Sequence, residues 1–155
     1  MPKQKPLRTP RGFDTWITVG RTNLKVHRAL NQLLGELELS LAQHEILVTI
    51  RRNPDLKQRE LADRLHVIKS NATALLQKLE TRGLVIRTSD PDDSRINRLN
   101  LTRSGDALVE KSFAVQSRVI DAMASVMTDD ELERTADVMK RIDTAIDDLL
   151  NSQER

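Results

Sequence analysis

The sequence predicts a mainly α protein, and three observations carry that prediction. Apolar residues recur three or four positions apart through most of the chain, the spacing of helices that bury one face. Only Phe13, Trp16 and Phe113 are aromatic and tyrosine is absent, which argues against the aromatic-rich strands of a sandwich or barrel. Two segments, Ser40-Leu41-Ala42-Gln43 and Thr128-Asp129-Asp130-Glu131, set a hydroxyl three residues before Gln or Glu, the pattern of a capping box at a helix start. With 155 residues, 38% hydrophobic and 31% charged, the chain suits one domain with a sizeable core and is too apolar to stay disordered.

Each element follows in order. Residues 1–12 read as a basic, flexible arm, with Lys3, Lys5, Arg8 and Arg11 among three prolines. Residues 13–37 put Phe13, Ile17, Gly20, Leu24, His27, Leu30, Leu34 and Leu37 on one helical stripe. The Ser40 box opens a second helix that carries Ile46, Leu47 and Ile50; Asn53-Pro54 closes it, because a residue before proline avoids α geometry. A short helix over 58–65 groups Leu61, Ala62 and Leu65, and after a tight turn another runs over 69–82. Its packing stripe is Ala72, Leu75, Leu76 and Leu79, and Gly83 ends it by entering the left-handed conformation that satisfies the last carbonyls. Residues 84–89 and 96–101 are β-favouring runs around Asp90-Pro91-Asp92-Asp93, a hairpin whose turn Pro91 fixes and Asp90 bonds. Thr102 caps a long helix to about Met127, and the Thr128 box opens the last one.

The net charge of +2 hides a segregation. Residues 51–103 hold twelve Lys or Arg against seven Asp or Glu, whereas residues 129–155 hold nine acids against four bases. A basic centre suits a polyanion, and the acidic end faces something else. Cysteine is absent, which removes disulfides, thiolate metal sites, cysteine nucleophiles and thiol redox sensing together. The three histidines, His27, His44 and His66, are scattered and no nucleophile motif accompanies them, so no enzyme, catalytic residue or cofactor is expected. Asp90, Asp92 and Ser94 imitate a calcium loop, but Arg95 and Leu101 stand where that loop needs Gly and Glu. His44-Glu45 reads as two exposed helix residues, and no metal is expected. Neither a secretory signal nor a membrane-spanning apolar run is visible, so the expectation is a soluble, cytoplasmic protein with no membrane partner.

Three short helices, a turn between the second and third, and a hairpin make the order of a winged helix-turn-helix. Leu61-Ala62-Asp63-Arg64-Leu65, Leu79-Glu80-Thr81-Arg82-Gly83-Leu84-Val85, Asp90-Pro91-Asp92-Asp93-Ser94-Arg95 and Leu101-Thr102-Arg103-Ser104-Gly105 resemble the MarR family of bacterial transcription regulators. The likeness is close over residues 38–105 and architectural beyond them. It implies a DNA-binding lobe over 38–102 flanked by dimerisation helices over 13–37 and 103–151, all in one domain spanning 13–155. Lys57, His66 and Ile68 depart from the family pattern, replacing a helix cap, a turn glycine and a second cap, at about 1 kcal/mol per lost cap.

The polar face of the fourth helix fits a major groove. Lys69 reaches a phosphate or guanine edge, Ser70 meets a base edge, Asn71 and Gln77 pair with adenine, Thr73 meets a thymine methyl, and Lys78 contacts phosphate. The resemblance sends Arg95 into the adjacent minor groove, with Asp93 orienting the wing; Arg98 adds a phosphate contact. A guanidinium suits the negative potential of a narrow A·T minor groove. The bland reading of these charges is a solvated surface with salt bridges.

The seam Leu132, Met139, Ile142, Ile146 and Leu149 needs covering, either by a second copy or within the chain. The resemblance implies a homodimer on a pseudo-palindromic site, responsive to a small anionic or aromatic effector. Trp16, Arg21 and His27 are the candidates to approach that effector, although Trp16 also suits a core or interface. The competing function is a helical protein-binding adaptor that uses this fold without specific DNA recognition.

Overall fold

The computed structural model describes residues 8–65 and 72–153, apart from the side chains of Ala62 and Gln153. The chain divides into two compact units, residues 1–116 and 117–155.

In the first unit, α1 (Phe13–Gly35) follows Gly12, whose φ of 85° is left-handed. The buried Leu30 and Leu34 of α1 face α2 (Leu41–Arg52). The helix ends two residues before the expected 37, because Leu37 and Glu38 donate to the Leu34 and Gly35 carbonyls in closing turns and Glu38 takes a φ of 54°. Ser40 then forms the expected capping box: its Oγ accepts from the Gln43 amide and Gln43 Oε1 accepts from the Ser40 amide. Asn31 of α1 reaches across to the Leu41 amide at 3.0 Å, fixing the entry of α2.

After Asn53 comes β1 (Leu56–Lys57), then α3 (Gln58–Arg64) and α4 (Ala72–Thr81). Lys57 offers α3 no side-chain cap, as expected from its residue type. The turn expected at 66–68 and a helix start at 69 lie outside the described residues. The end of α4 is as expected: Gly83 has φ 68°, and Leu84 and Gly83 donate to the Leu79 and Glu80 carbonyls, the paired bonds of a left-handed helix stop. The apolar stripes of these helices meet in one core, where Ile46, Leu47 and Ile50 of α2, Leu61 of α3, and Leu76 and Leu79 of α4 are all fully buried.

The hairpin strands β2 (Val85–Ser89) and β3 (Asn97–Leu101) are antiparallel, pairing Val85 with Leu101 and Arg87 with Leu99. A third strand escaped the sequence reading. β1 pairs with β3, Leu56 opposite Leu99 and Lys57 opposite Arg98, to give the order β1-β3-β2. Asp55 and Asn100 lock its start through two reciprocal bonds of 3.1 and 2.7 Å.

β3 runs into α5 (Arg103–Ala124) with Thr102 alone between them. The Thr102 Oγ1 accepts from the Gly105 amide and donates to the Gly83 carbonyl, which Ser104 Oγ also reaches. Gly105 lies so close to the Leu84 carbonyl that a Cβ there would collide with it. The second unit contains the end of α5 and α6 (Asp129–Gln153). α5 stops at Ala124 rather than near Met127, and Thr128 and Glu131 form the expected capping box of α6. Among the described residues no helix is long and apolar enough to cross a membrane.

Candidate nucleic-acid interface

The burial of α4 is one-sided. Ala72, Leu76 and Leu79 are buried, Leu75 is half-buried, and Thr73, Ala74, Gln77 and Lys78 are exposed. The structure therefore presents Thr73, Gln77 and Lys78 on one solvent-facing surface, while Lys69, Ser70 and Asn71 lie outside the described residues. Gly83 and the Leu84 amide close the C-terminal end of this helix, and Leu84 leads directly into β2.

The wing's geometry is built around two carboxylates. Asp90, 4% exposed at its side chain, accepts the Asp92 and Asp93 amides on Oδ1 and the Arg98 guanidinium on Oδ2 at 2.7 Å. The Asp92 amide and then Arg98 hold its carboxyl below the ordinary carboxylate range, against the opposing effect of burial. Arg98 is thus tied to the base of the turn rather than projecting freely. Asp93 makes a fork with Arg95: Oδ1 accepts Nε at 3.0 Å and Oδ2 accepts Nη2 at 3.1 Å, while Oδ1 also receives the Arg95 amide. The Arg95 side chain remains 88% exposed, so the fork aims a charged guanidinium outward from the tip of the hairpin. Asp93 is held below the ordinary carboxylate range first by the Arg95 side chain, then by the Arg95 amide, with the charge of Arg59 a smaller contribution.

Much of the basic charge in residues 51–103 is internally matched. Arg51 bridges Asp106 and Glu110, Arg64 reaches Asn53 at 2.8 Å, Arg82 donates to the Glu38 carbonyl and Arg87 pairs with Glu80 at 2.6 Å. Among the described residues, no ion pair involves Lys57, Arg59 or Lys78.

A cavity of about 580 Å³ lies between α1 and α2, with Arg64 of α3 and Gln116 of α5 on its wall. His27 and His44 line it together with Asn23 and Arg52. Of the expected effector residues only His27 does so; Trp16 is 69% exposed and Arg21 is exposed, both nearer the start of α1. His44 corrects the sequence reading. It is 1% exposed, its Nδ1 lies 2.9 Å from Ser112 Oγ and its Nε2 lies 3.3 Å from Gln116 Oε1. A neutral imidazole carries one N–H, so one ring nitrogen donates and the other accepts; the Ser112 hydroxyl also lies 3.1 Å from the Val109 carbonyl. Burial pushes the imidazole below its ordinary value. The signal was present: His44 falls three residues from both Leu41 and Leu47, on the buried stripe of α2. No group of His, Cys, Asp or Glu suited to a metal ion occurs among the described residues. In the second unit, Leu132, Met139, Ile142, Ile146 and Leu149 are all exposed in the single chain.

A family model described as MarR family matches residues 39–97, which hold α2, α3, α4 and the wing turn. The HTH-type transcriptional regulator MhqR of Bacillus subtilis is 23% identical over 134 residues, 86% of this chain and 92% of its own length. The HTH-type transcriptional repressor MdtR of the same organism is 28% identical over 118 residues, 76% of each chain. Among solved structures, a mutant MarR from E. coli complexed with operator DNA is 29% identical with a TM-score of 0.72, covering 84% of this chain and 96% of its own. The transcriptional repressor CouR, bound to a 23-mer DNA duplex, is 26% identical with a TM-score of 0.73, over 89% and 99% of the two chains.

Proposed function

We propose, from its likeness to the MarR family of winged-helix transcription regulators, that the chain is a member of that family and a homodimeric repressor that occupies a pseudo-palindromic operator. The observation that carries this reading is the Asp93–Arg95 fork, a preset guanidinium at the exposed tip of a hairpin whose strand β2 packs against α4. A carboxylate that fixes the rotamer lowers the entropy lost when the guanidinium enters a minor groove. Lys69, Ser70, Asn71, Thr73 and Gln77 then meet base edges in the major groove, and Lys78 meets phosphate. Two-fold symmetry follows from a dimer in which 13–37 and 103–151 interleave between copies. The exposed seam of Leu132, Met139, Ile142, Ile146 and Leu149 supports that reading, since covering such side chains contributes about 1.5–3 kcal/mol each. Relatives of known structure bind operator DNA or a DNA duplex, which is the same activity.

For the effector, the cavity beside His27 is the place to look, with Arg52 and Arg64 supplying positive charge for a small anionic or aromatic compound. Such a compound changes DNA affinity only as far as it binds the two dimer shapes unequally. The test is fluorescence anisotropy on DNA from upstream of the chain's own gene and on a scrambled duplex across a salt series. Binding that persists at about 150 mM salt and exceeds the scramble by orders of magnitude supports a sequence-specific regulator. Equal, weak binding to every fragment of a genomic selection overturns it.

A further inference from the structure

The strand that the sequence concealed changes the electrostatics of the wing. Pairing of β1 with β3 sets Lys57 beside Arg98, and both project from the sheet face opposite the buried Leu56–Leu99 pair, because successive strand residues alternate faces. Arg98 is engaged by Asp90, so the available charge in that row belongs to Lys57. Two residues on, at the start of α3, the exposed Arg59 comes within electrostatic reach of Asp93, whose fork presents Arg95. Neither Lys57 nor Arg59 has an ion-pair partner among the described residues. Three cations from three different segments thus gather at the wing, only one of them preset by a carboxylate.

A minor groove is about 6 Å wide, so a guanidinium inside it stands next to the phosphates of its rim. We propose that Lys57 and Arg59 grip those rim phosphates, forming with Arg95 a clamp over the minor groove in which Arg95 is inside and the other two hold the backbone. The phosphate contact that Arg98 suggests in the sequence passes to Lys57, its neighbour across the sheet. Arg59 matches a phosphate with two parallel donors and Lys57 acts as a point charge. The clamp rests on the DNA-binding reading, deepening it with two residues that position the backbone and read no bases.

The experiment measures affinity against salt for full-length wild type, Arg59→Gln, Lys57→Gln and Arg59→Lys. The probes are a duplex selected from a random library by the wild-type protein and a scrambled duplex of equal length. Each Gln variant is expected to flatten the slope of log K against log salt by about 0.9 on both duplexes, one phosphate contact apiece. Arg59→Lys is expected to recover most of the slope, and unchanged urea midpoints show that each variant folds. Wild-type slopes in the Gln variants, or a loss confined to the selected duplex, overturn the clamp. If wild type binds both duplexes equally, the sequence-specific reading fails while the slopes still decide the clamp; if it binds neither, both readings fall.

Discussion

His44 occupies a position on α2 where an aliphatic side chain would pack, and its ring nitrogens lie 2.9 Å from Ser112 Oγ and 3.3 Å from Gln116 Oε1 of α5. Burial favours the neutral ring, so the folded state binds the imidazole proton less readily than the unfolded chain, whose ordinary value is near 6.5. The stability this neutral ring contributes is present above that value and is lost as pH falls from it toward the depressed folded value. Urea midpoints at about pH 7.5 and about pH 5.5 check this: wild type is expected to lose stability on acidification, and His44→Gln to lose distinctly less. Equal losses would place the proton uptake elsewhere. Ser112→Ala removes the hydrogen-bond partner of a buried ring nitrogen and is expected to cost roughly 1–3 kcal/mol at neutral pH, read from the same urea curves. The residue pattern held the burial of His44 in plain form, through its spacing from Leu41 and Leu47. Its partners, 68 and 72 residues away, required the folded chain.

At the level of elements, the helices and hairpin were legible because their signals are local: capping boxes at Ser40 and Thr128, the glycine stop at Gly83, the Asp90-Pro91 turn. β1 was not, since two residues show no period and its pairing is decided by β3, some forty residues on. The same non-locality governs the wing turn. Asp90 satisfies two amides and one guanidinium, so Asp90→Ala is expected to loosen the turn and release Arg98 at a cost of about 1–3 kcal/mol. Far-ultraviolet circular dichroism should show the helices intact while specific DNA affinity falls more than tenfold; retention of wild-type affinity would show that the wing needs no preset turn. Gly105→Ala tests another junction. Its new methyl meets backbone rather than a movable side chain, so a loss of about 1–3 kcal/mol is expected in thermal or urea unfolding.

On the scale of the whole molecule, counting charges in the sequence located a basic centre but overstated how much of it is available. Arg51, Arg64, Arg82, Arg87 and Arg98 are engaged by acceptors within the chain, distributions that composition does not contain. On the acidic last helix the apolar seam of Leu132, Met139, Ile142, Ile146 and Leu149 is exposed in the single chain. Ile142→Asp places a charge in that seam and is expected to shift sedimentation from dimer toward monomer at micromolar concentration, with DNA affinity falling in parallel; an unchanged sedimentation coefficient would remove this seam from the dimer. The passage from β3 into α5 has a further consequence. With Thr102 as the whole connection, and its hydroxyl bonded on both sides, the joint has no slack, so α5 inherits its rotational phase from the hairpin. One inserted residue would turn the helix by about 100°, carrying Ser112 away from His44 and Gly105 away from Leu84. Length at this joint is therefore held as tightly as the identities of Thr102 and Gly105: an extra letter is as disruptive there as a changed one.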